Sequence, residues 1–361
     1  MAAVTNHARV VVRAARPGEG VAIAGLWREL WDAHEAWGGY PGRTEPAVYA
    51  QLATRLDDDA RARGGEPILG RHIHLVATLD GAVAGQVEGW FERQGVDPQT
   101  PHTCEVRSLI VASWARGRGV GTALLDGLAG AALTMTRGAG LVLGAEVLEP
   151  NPAHAFYARL GYKPVSWSLR VPSHASAVVP ATERPTVGDS FTARLAEPRD
   201  ALAVCILDAT LAARRRAMGD TRYDKPRAVD ASTVGALAAL LHQTNLDVSI
   251  AAGTVELVTA DGNGRVRASA TFALTTLDPP FVTQQRAVLS RFAADPALAP
   301  GPLVAPLIAL GRRLANVGNA RSLELTELSP PTTPLHAVAL ASGGVPWSRI
   351  LTKPVSPRAQ F

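Results

Sequence analysis

The segment from Leu109 to Leu125 contains residue types that suit the binding of an anion. A predicted strand enters a glycine-rich turn, and the turn leads into a predicted helix. The turn reads Arg-Gly-Arg-Gly-Val-Gly from Arg116 to Gly121. Glycine lets the main chain approach a ligand closely, and the unbonded N–H groups at a helix start attract negative charge. The segment therefore predicts a site for a phosphate or pyrophosphate group.

The spacing of the glycines separates three kinds of phosphate-binding turn. A P-loop needs a lysine after its second glycine, and this turn has none. A dinucleotide fingerprint needs Gly-x-Gly-x-x-Gly, whereas the glycines here alternate at Gly117, Gly119 and Gly121. The pattern that fits is Arg-x-x-Gly-x-Gly, beginning at Arg116. An ordinary tight turn between a strand and a helix could carry the same residues, so the flanking sequence has to decide.

A second motif follows the next predicted strand. It reads Asn-Pro-Ala-His-Ala-Phe-Tyr-Ala-Arg-Leu-Gly-Tyr from Asn151 to Tyr162. With both motifs in this order, the sequence resembles the GNAT superfamily of N-acetyltransferases over residues 10–171. The resemblance implies the GNAT fold, acetyl-CoA as cosubstrate, and direct transfer of the acetyl group to an amine.

The resemblance also implies which residues hold acetyl-CoA. The main chain of Leu109 and Val111 would bind the pantetheine arm, and one of their N–H groups would polarise the thioester. Asn151 would bind the same arm or, alternatively, cap the helix that follows it. The implied acetyl-CoA site consists of Leu109, Ile110, Val111, Arg116, Gly117, Arg118, Gly119, Val120, Gly121, Thr122, Asn151 and Tyr157.

Two residues are predicted to move protons. Tyr157 matches the family's general acid for the departing thiolate, and the alternative is an aromatic side chain that only packs in the core. Glu105 is the candidate base, and the alternative is a structural ion pair with Arg107, two residues away on the same strand face. Glu88 and Glu92, on the neighbouring strand, are further candidates that would act through water.

The acceptor amine is expected to meet aromatic and acidic side chains, because both attract a cation. The predicted substrate residues are Trp31, Tyr40, Glu88 and Trp90. For Trp31, as for Trp27, a purely structural place in the core is the alternative. Cys104 is disfavoured as a nucleophile, since no histidine lies in an activating register.

The chain repeats internally. The stretch from Pro152 to Gly161 aligns with the stretch from Pro334 to Gly343, each residue 182 positions further on. The predicted fold class is therefore α/β (α+β), with two tandem GNAT-like domains, each a mixed, mostly antiparallel twisted sheet flanked by helices. The predicted domains are an acyl-CoA-binding GNAT domain at 1–171, a linker at 172–189, and a degenerate GNAT-like domain at 190–361. In the second domain, prolines interrupt the turn region and Ala339 stands where Tyr157 stands.

Composition restricts the class of protein. The 361 residues are 47% hydrophobic and 19% charged, which argues against disorder, and the net charge of +4 is too small to indicate nucleic-acid binding. Two cysteines make neither a disulfide framework nor a zinc site, and no metal is expected. We find no long apolar run and no leader pattern. A bacterial, cytoplasmic monomer or homodimer without membrane contact is expected.

The predicted function is transfer of an acetyl group from acetyl-CoA to a primary amine of a small molecule. Two alternatives remain at this point. One is a non-catalytic acyl-CoA-binding or regulatory protein, and the other is a protein or peptide N-acetyltransferase.

Overall fold

The computed structural model describes residues 10–40, 42, 45–91, 102–136, 140–173, 191–220, 223, 229–246, 253–277, 282 and 284–355. Glu92 and most of the predicted linker at 172–189 lie outside these residues. The chain divides into two compact units, one of residues 1–163, 279–282 and 351–361, the other of residues 164–278 and 283–350.

The first unit alternates helices with a mixed sheet. Its strands follow the order β1-β3-β4-β5-β7, antiparallel except for the parallel pair β5 and β7. Its elements are β1 (Val10–Ala14), α1 (Gly20–Ala36), α2 (Pro46–Arg63), β2 (Ile68–Leu69), β3 (His72–Leu79), β4 (Ala82–Phe91), β5 (His102–Val106), β6 (Ile110–Val111), α3 (Val120–Met135), β7 (Leu141–Leu148) and α4 (Ala153–Arg159).

Helices cover both faces of this sheet. On one face, Leu124 and Leu128 of α3 are buried in the same cluster as Leu75 of β3. On the other face, α1 and α2 pack through Trp31 and Leu56, beside Val76 of β3. Because neighbouring residues of a strand point to opposite faces, β3 is apolar almost throughout and buried on both sides.

A β-bulge opposite β4 shapes the chain just before the glycine-rich turn. Gly89 of β4 lies opposite Val106, and Gln86 lies opposite Ile110, so the partner strand carries one more residue than β4 between these pairs. This β-bulge separates β5 from β6, so that the strand entering the glycine-rich turn is in two pieces. The pairing of β5 with β7 runs as far as Val106 opposite Ala145.

The second unit repeats this order of elements. Its strands are arranged β9-β10-β11-β12-β13-β8-β14, with β12 and β13 parallel. Its elements are β8 (Lys163–Pro172), β9 (Thr192–Leu195), α5 (Ala201–Ala217), α6 (Ala231–Leu246), β10 (Gly253–Ala260), β11 (Val266–Thr276), β12 (Gln285–Ala294), α7 (Pro300–Val317), β13 (Ser322–Leu328), α8 (Pro334–Ala341) and β14 (Val345–Val355).

The two units confirm the predicted fold class, but they divide at different residues from the predicted domains. The strand β8 pairs antiparallel with β13, so its residues from Pro164 onward belong with the second unit. Conversely, the residues from Leu351 to the end of the chain belong with the first unit, where Leu351 is buried in the core. Among the described residues, no helix combines the length and apolar character that crossing a membrane requires.

Candidate active site

The turn before α3 is built by its glycines. Gly117 and Gly119 have φ values of 75° and 81°, in the left-handed region where a side chain is strained. Gly121 serves a different purpose, because a Cβ there would lie 3.1 Å from Cζ of Phe156 on α4. The spacing of these glycines therefore sets both the bend of the turn and the close approach of α3 to α4.

The turn exposes main-chain N–H groups. Residues 116–119 are exposed, and α3 begins at Val120 with Gly119 as its N-cap. Within the described part of the chain, none of the amides from Gly117 to Thr122 donates to a protein acceptor. Such a row of amides at a helix start suits an anion.

Two arginines stand beside these amides. Arg116 donates from Nε to the carbonyl of Val111 at 3.2 Å, and its Nη2 lies 3.8 Å from Oε2 of Glu29 on α1. Arg118 lies 3.4 Å from Asp80. These contacts are exposed and weak, so both guanidinium groups can turn toward a phosphate. The turn thus fits the diphosphate of an acyl-CoA.

The main chain just before the turn is unpaired on one side. Ile110 and Val111 pair with Gln86 and Gly85 of β4. Beyond Val106 opposite Ala145, no ladder joins this strand to β7 in the described residues. The bulge interrupts regular strand pairing at this point. Main-chain groups around Leu109 are therefore available to bind an extended ligand.

Tyr157 lies on α4 and is almost fully buried, with 6% of its surface exposed. Its ring packs edge-to-face against Tyr162, at 5.1 Å between centroids. The buried hydroxyl of Tyr162 has no hydrogen-bond partner among the residues that the structure describes. Burial raises the pKa of Tyr157, so the phenol keeps its proton and suits a proton donor rather than a base.

Asn151 lies just before the N-cap, Pro152, of the helix that carries Tyr157. Its Oδ1 accepts a hydrogen bond from the N–H of Ala153, the first residue of that helix, at 2.9 Å. The contact resembles the capping alternative that the sequence offered, although Asn151 is not itself the N-cap. The side-chain nitrogen of Asn151 has no protein acceptor in the described residues and can still meet a ligand.

A row of polar side chains lies on the sheet face that α1 and α2 cover. Cross-strand pairing sets His74 opposite Glu88 and His72 opposite Trp90, which places all four side chains on this face. Oε2 of Glu88 is 3.7 Å from Nε2 of His72, and both side chains are largely buried. Burial acts to raise the pKa of Glu88, but His72 and His74 outweigh it, so the net pKa is lowered.

Glu105 is held by an ion pair. Its carboxylate accepts a hydrogen bond from Nε of Arg107 at 2.8 Å, and both side chains are more than one-third exposed. The guanidinium of Arg107 also lies 5.4 Å from the ring of Trp90, whose other side stacks on His72 at 4.3 Å. Trp90 therefore already contacts two protein groups, a stacked imidazole and a guanidinium.

The predicted substrate residues do not all come together. Trp31 is 2% exposed and packs in the core with Leu56 and Val76, so the prediction that it contacts the acceptor is corrected to the structural alternative. Tyr40 follows the end of α1 and is partly buried. Glu88 and Trp90 lie in the polar row, where an acceptor can be bound.

Sequence reasoning missed part of this row. Arg63, at the end of α2, is 5% exposed and lies 2.5 Å from Nδ1 of His72. His74 lies 2.9 Å from Gln86, and Gln86 donates to Ser108 in the bulge at 3.4 Å. The sequence shows polar residues alternating along each strand, at His72 and His74 and at Glu88 and Trp90, but it does not show that they lie opposite each other.

Cys104 is fully buried, and burial raises its pKa to about 12. The thiol is therefore protonated near neutral pH and is a poor nucleophile. In the described ranges, no group of three His, Cys, Asp or Glu side chains is arranged to hold a metal ion.

Comparison with known proteins agrees with this geometry. The profile of the Acetyltransferase (GNAT) family matches residues 26–162. No curated protein is significantly similar in sequence. A GCN5-related N-acetyltransferase from Sphaerobacter thermophilus has a TM-score of 0.57 at 15% identity, with 98% of each chain covered.

Two further solved structures are similar to the chain. A glucosamine N-acetyltransferase region of a fungal multi-domain GH3 beta-N-acetylglucosaminidase has a TM-score of 0.51 at 14% identity, covering 96% of this chain and 38% of that one. A tandem GNAT protein from the clavulanic acid biosynthesis pathway has a TM-score of 0.48 at 17% identity, covering 97% and 99%. Because the sequence identities are below 20%, the two similarities with TM-scores above 0.5 establish the fold alone.

Proposed function

Because residues 26–162 form a GNAT acetyltransferase domain, which confirms the resemblance carried by the two motifs, we propose that this acyltransferase acetylates a primary amine of a small molecule. GNAT enzymes use acetyl-CoA or another acyl-CoA as cosubstrate. The bound cosubstrate supplies an acyl group activated as a thioester. The remaining tasks belong to the protein, which has to hold the diphosphate, orient the amine and move two protons.

The observation that carries the proposal is the exposed turn at residues 116–119, followed by a helix start at Val120; the N–H groups from Gly117 to Thr122 have no protein acceptor in the described residues. These amides, with Arg116 and Arg118, bind the diphosphate of acetyl-CoA. The main chain at Leu109, Ile110 and Val111, on the side that does not face β4, binds the pantetheine arm, and Asn151 contributes its side-chain nitrogen.

Two side chains manage the protons. Tyr157 donates its proton to the departing sulfur, a role supported by its burial and its raised pKa. A carboxylate accepts the proton of the amine as the carbon–nitrogen bond forms. The ion pair of Glu105 with Arg107 weakens the case for Glu105 as that base. Glu88 is recessed beside His72, with 3.7 Å between Oε2 and Nε2, and pairs with no arginine among the described residues, so it is the better-placed carboxylate. Its lowered pKa keeps it ionised but does not make it a stronger base.

A small amine is favoured because Glu88 is recessed. Its side chain is 16% exposed, on the sheet face that α1 and α2 cover. An acceptor has to bring its nitrogen to this buried carboxylate, beside Trp90. A compact amine satisfies this requirement with less rearrangement than a folded protein does.

We assign acyl-CoA binding to the first domain, predicted as residues 1–171. In the second domain, predicted as 190–361, the carboxylate of Asp295 accepts a hydrogen bond from the N–H of Ala297 and pairs with Arg267. The helix α7 then begins with Pro300, which offers no N–H. A carboxylate in place of open amides disfavours a diphosphate there.

The test is release of free CoA thiol from acetyl-CoA by the full-length protein with a panel of small amines, polyamines and lysine peptides. The proposal expects turnover with at least one small amine and little with peptides. Thermal stabilisation by acetyl-CoA without thiol release from any acceptor would indicate a binding protein. Turnover with peptides alone would indicate a peptide acetyltransferase.

A further inference from the structure

The imidazole of His72 contacts two side chains, Arg63 and Trp90. Nη2 of Arg63 lies 2.5 Å from its Nδ1, and the neighbouring Nη1 donates to the carbonyl of Pro67 at 3.0 Å. The ring of Trp90 stacks on the imidazole at 4.3 Å, with 17° between the planes. These two contacts favour one orientation of the ring.

The contact with Arg63 decides where the proton of His72 lies. A guanidinium has only donors, so Nδ1 of the neighbouring imidazole has to be the acceptor. In the neutral ring, the single proton is then on Nε2. The tautomer thus follows from geometry and from the fixed charge of arginine.

Nε2 of His72 points to Glu88. The distance to Oε2 is 3.7 Å, longer than a hydrogen bond, and this buried nitrogen has no other partner among the described residues. A buried donor without an acceptor is unfavourable. Hydrogen bonds in ligand-free active sites are often long and shorten when substrate binds. Glu88 is the acceptor that a small movement of either side chain would supply.

We propose that Arg63 and His72 are positioning residues for the acetyl transfer, in which Arg63 fixes the Nε2–H tautomer of His72 and that N–H orients Glu88 as the base. The proposal rests on the proposed function. As nitrogen bonds to the acyl carbon and the carbon–sulfur bond breaks, Glu88 accepts the proton from nitrogen and Tyr157 gives its proton to sulfur. Both side chains then exchange protons with water.

Other charged groups also act on Glu88. His74 and Arg55 contribute to its lowered pKa together with His72. The histidines come from β3, and Arg55 comes from α2, as does Arg63. On β5 and in the bulge, Glu105 and Arg107 compensate each other through their ion pair. The charged and titratable groups around the carboxylate are His72, His74, Arg55, Arg63, Glu105 and Arg107.

The first experiment measures the tautomer of His72 directly, by ¹⁵N NMR of the histidine rings in the full-length protein. The signals of His72 are those lost in His72→Gln. At a pH where the ring is neutral, we expect the proton on Nε2 in the wild type and a mixture of tautomers in Arg63→Met. Arg61→Met is the matched control, because Arg61 lies in the same last turn of α2 but its side chain is exposed and pairs with Asp58. A ring protonated on Nδ1, or no change in Arg63→Met, would overturn the proposal.

The second experiment compares two substitutions of His72 by kinetics. His72→Phe keeps a ring against Trp90 but has no N–H, whereas His72→Gln places an amide N–H near the original Nε2. Losing the donor destabilises the carboxylate, so the acid limb of the kcat profile should move up by about one pH unit in His72→Phe. In His72→Gln it should stay near the wild type, with the KM for acetyl-CoA unchanged in both. Equal losses in the two variants without a shift of the limb would show a merely structural role.

The outcomes also separate this proposal from the proposed function. If the wild type releases no thiol with any amine, the proposed function fails, and the catalytic part of this inference fails with it. The NMR result then still decides whether Arg63 sets the tautomer. If His72→Phe does not fold, Arg63→Met gives the same pH comparison with Arg61→Met as its control.

Discussion

Glu105 and Arg107 form an exposed ion pair, in which the carboxylate accepts a hydrogen bond of 2.8 Å from Nε. Glu88, on the adjacent strand, is recessed beside His72. The two carboxylates share a sheet face but differ in what holds them. Both residues are glutamates, so their surroundings decide which of them acts as the general base.

Glu88→Gln should lower kcat about 100-fold, because a positioned base contributes roughly 100-fold or more. Since the pKa of Glu88 is lowered, its carboxylate persists to lower pH, and the wild type should keep activity there. Glu105→Gln is the matched control and should cost only a few-fold. Steady-state kinetics against pH would check this, and a larger loss in Glu105→Gln would restore Glu105 as the base.

Tyr157→Phe should reduce kcat by about 10-fold to 100-fold while leaving the affinity for acetyl-CoA unchanged. The ring stays in its packing against Tyr162, and only the proton donor is lost. Tyr162→Phe serves as the control, because it removes a neighbouring buried hydroxyl. Turnover and calorimetric affinity would be measured on both variants. Unchanged turnover in Tyr157→Phe would leave Tyr157 as a core aromatic.

Gly119→Ala should weaken acetyl-CoA binding at least tenfold, because alanine does not readily adopt the φ of 81° that aims the amides. Gly130→Ala on the same helix is the control. That position has no positive φ and no atom within 4 Å of an added Cβ, so alanine should stabilise the helix by roughly 0.5–1 kcal/mol. Calorimetry and thermal melting would compare the two. Equal affinities in both variants would contradict the proposed shape of the turn.

The sequence predicted the parts of the site that are local in the chain. The turn from Arg116 to Gly121 and the helix of Tyr157 are recognisable because their geometry needs glycines and a cap at fixed spacing. The fold class followed from the same motifs and from the repeat. These features require no knowledge of which strands face each other.

The polar row could not be predicted because two bulges shift the register. The turn at Asp80 and Gly81 pairs Leu79 with Ala82, and counting back from it sets His72 opposite Gly89. The bulge near Ala84 moves His72 opposite Trp90 instead. A one-residue slip exchanges the faces of a strand, and nothing in the hydrophobic pattern marks it. The place of Trp31 also depends on tertiary packing. It lies on the face of α1 that is buried against α2, and the sequence of α1 alone does not show which of its faces α2 covers.

The most direct test of the account is a calorimetric titration of the full-length protein with CoA, repeated with Arg116→Ala and Gly119→Ala. We expect saturable binding of one CoA per chain, because among the described residues the turn before α3 offers open amides and the segment before α7 does not, and weaker binding in both variants. No heat of binding in the wild type, or binding that both variants retain unchanged, would contradict it.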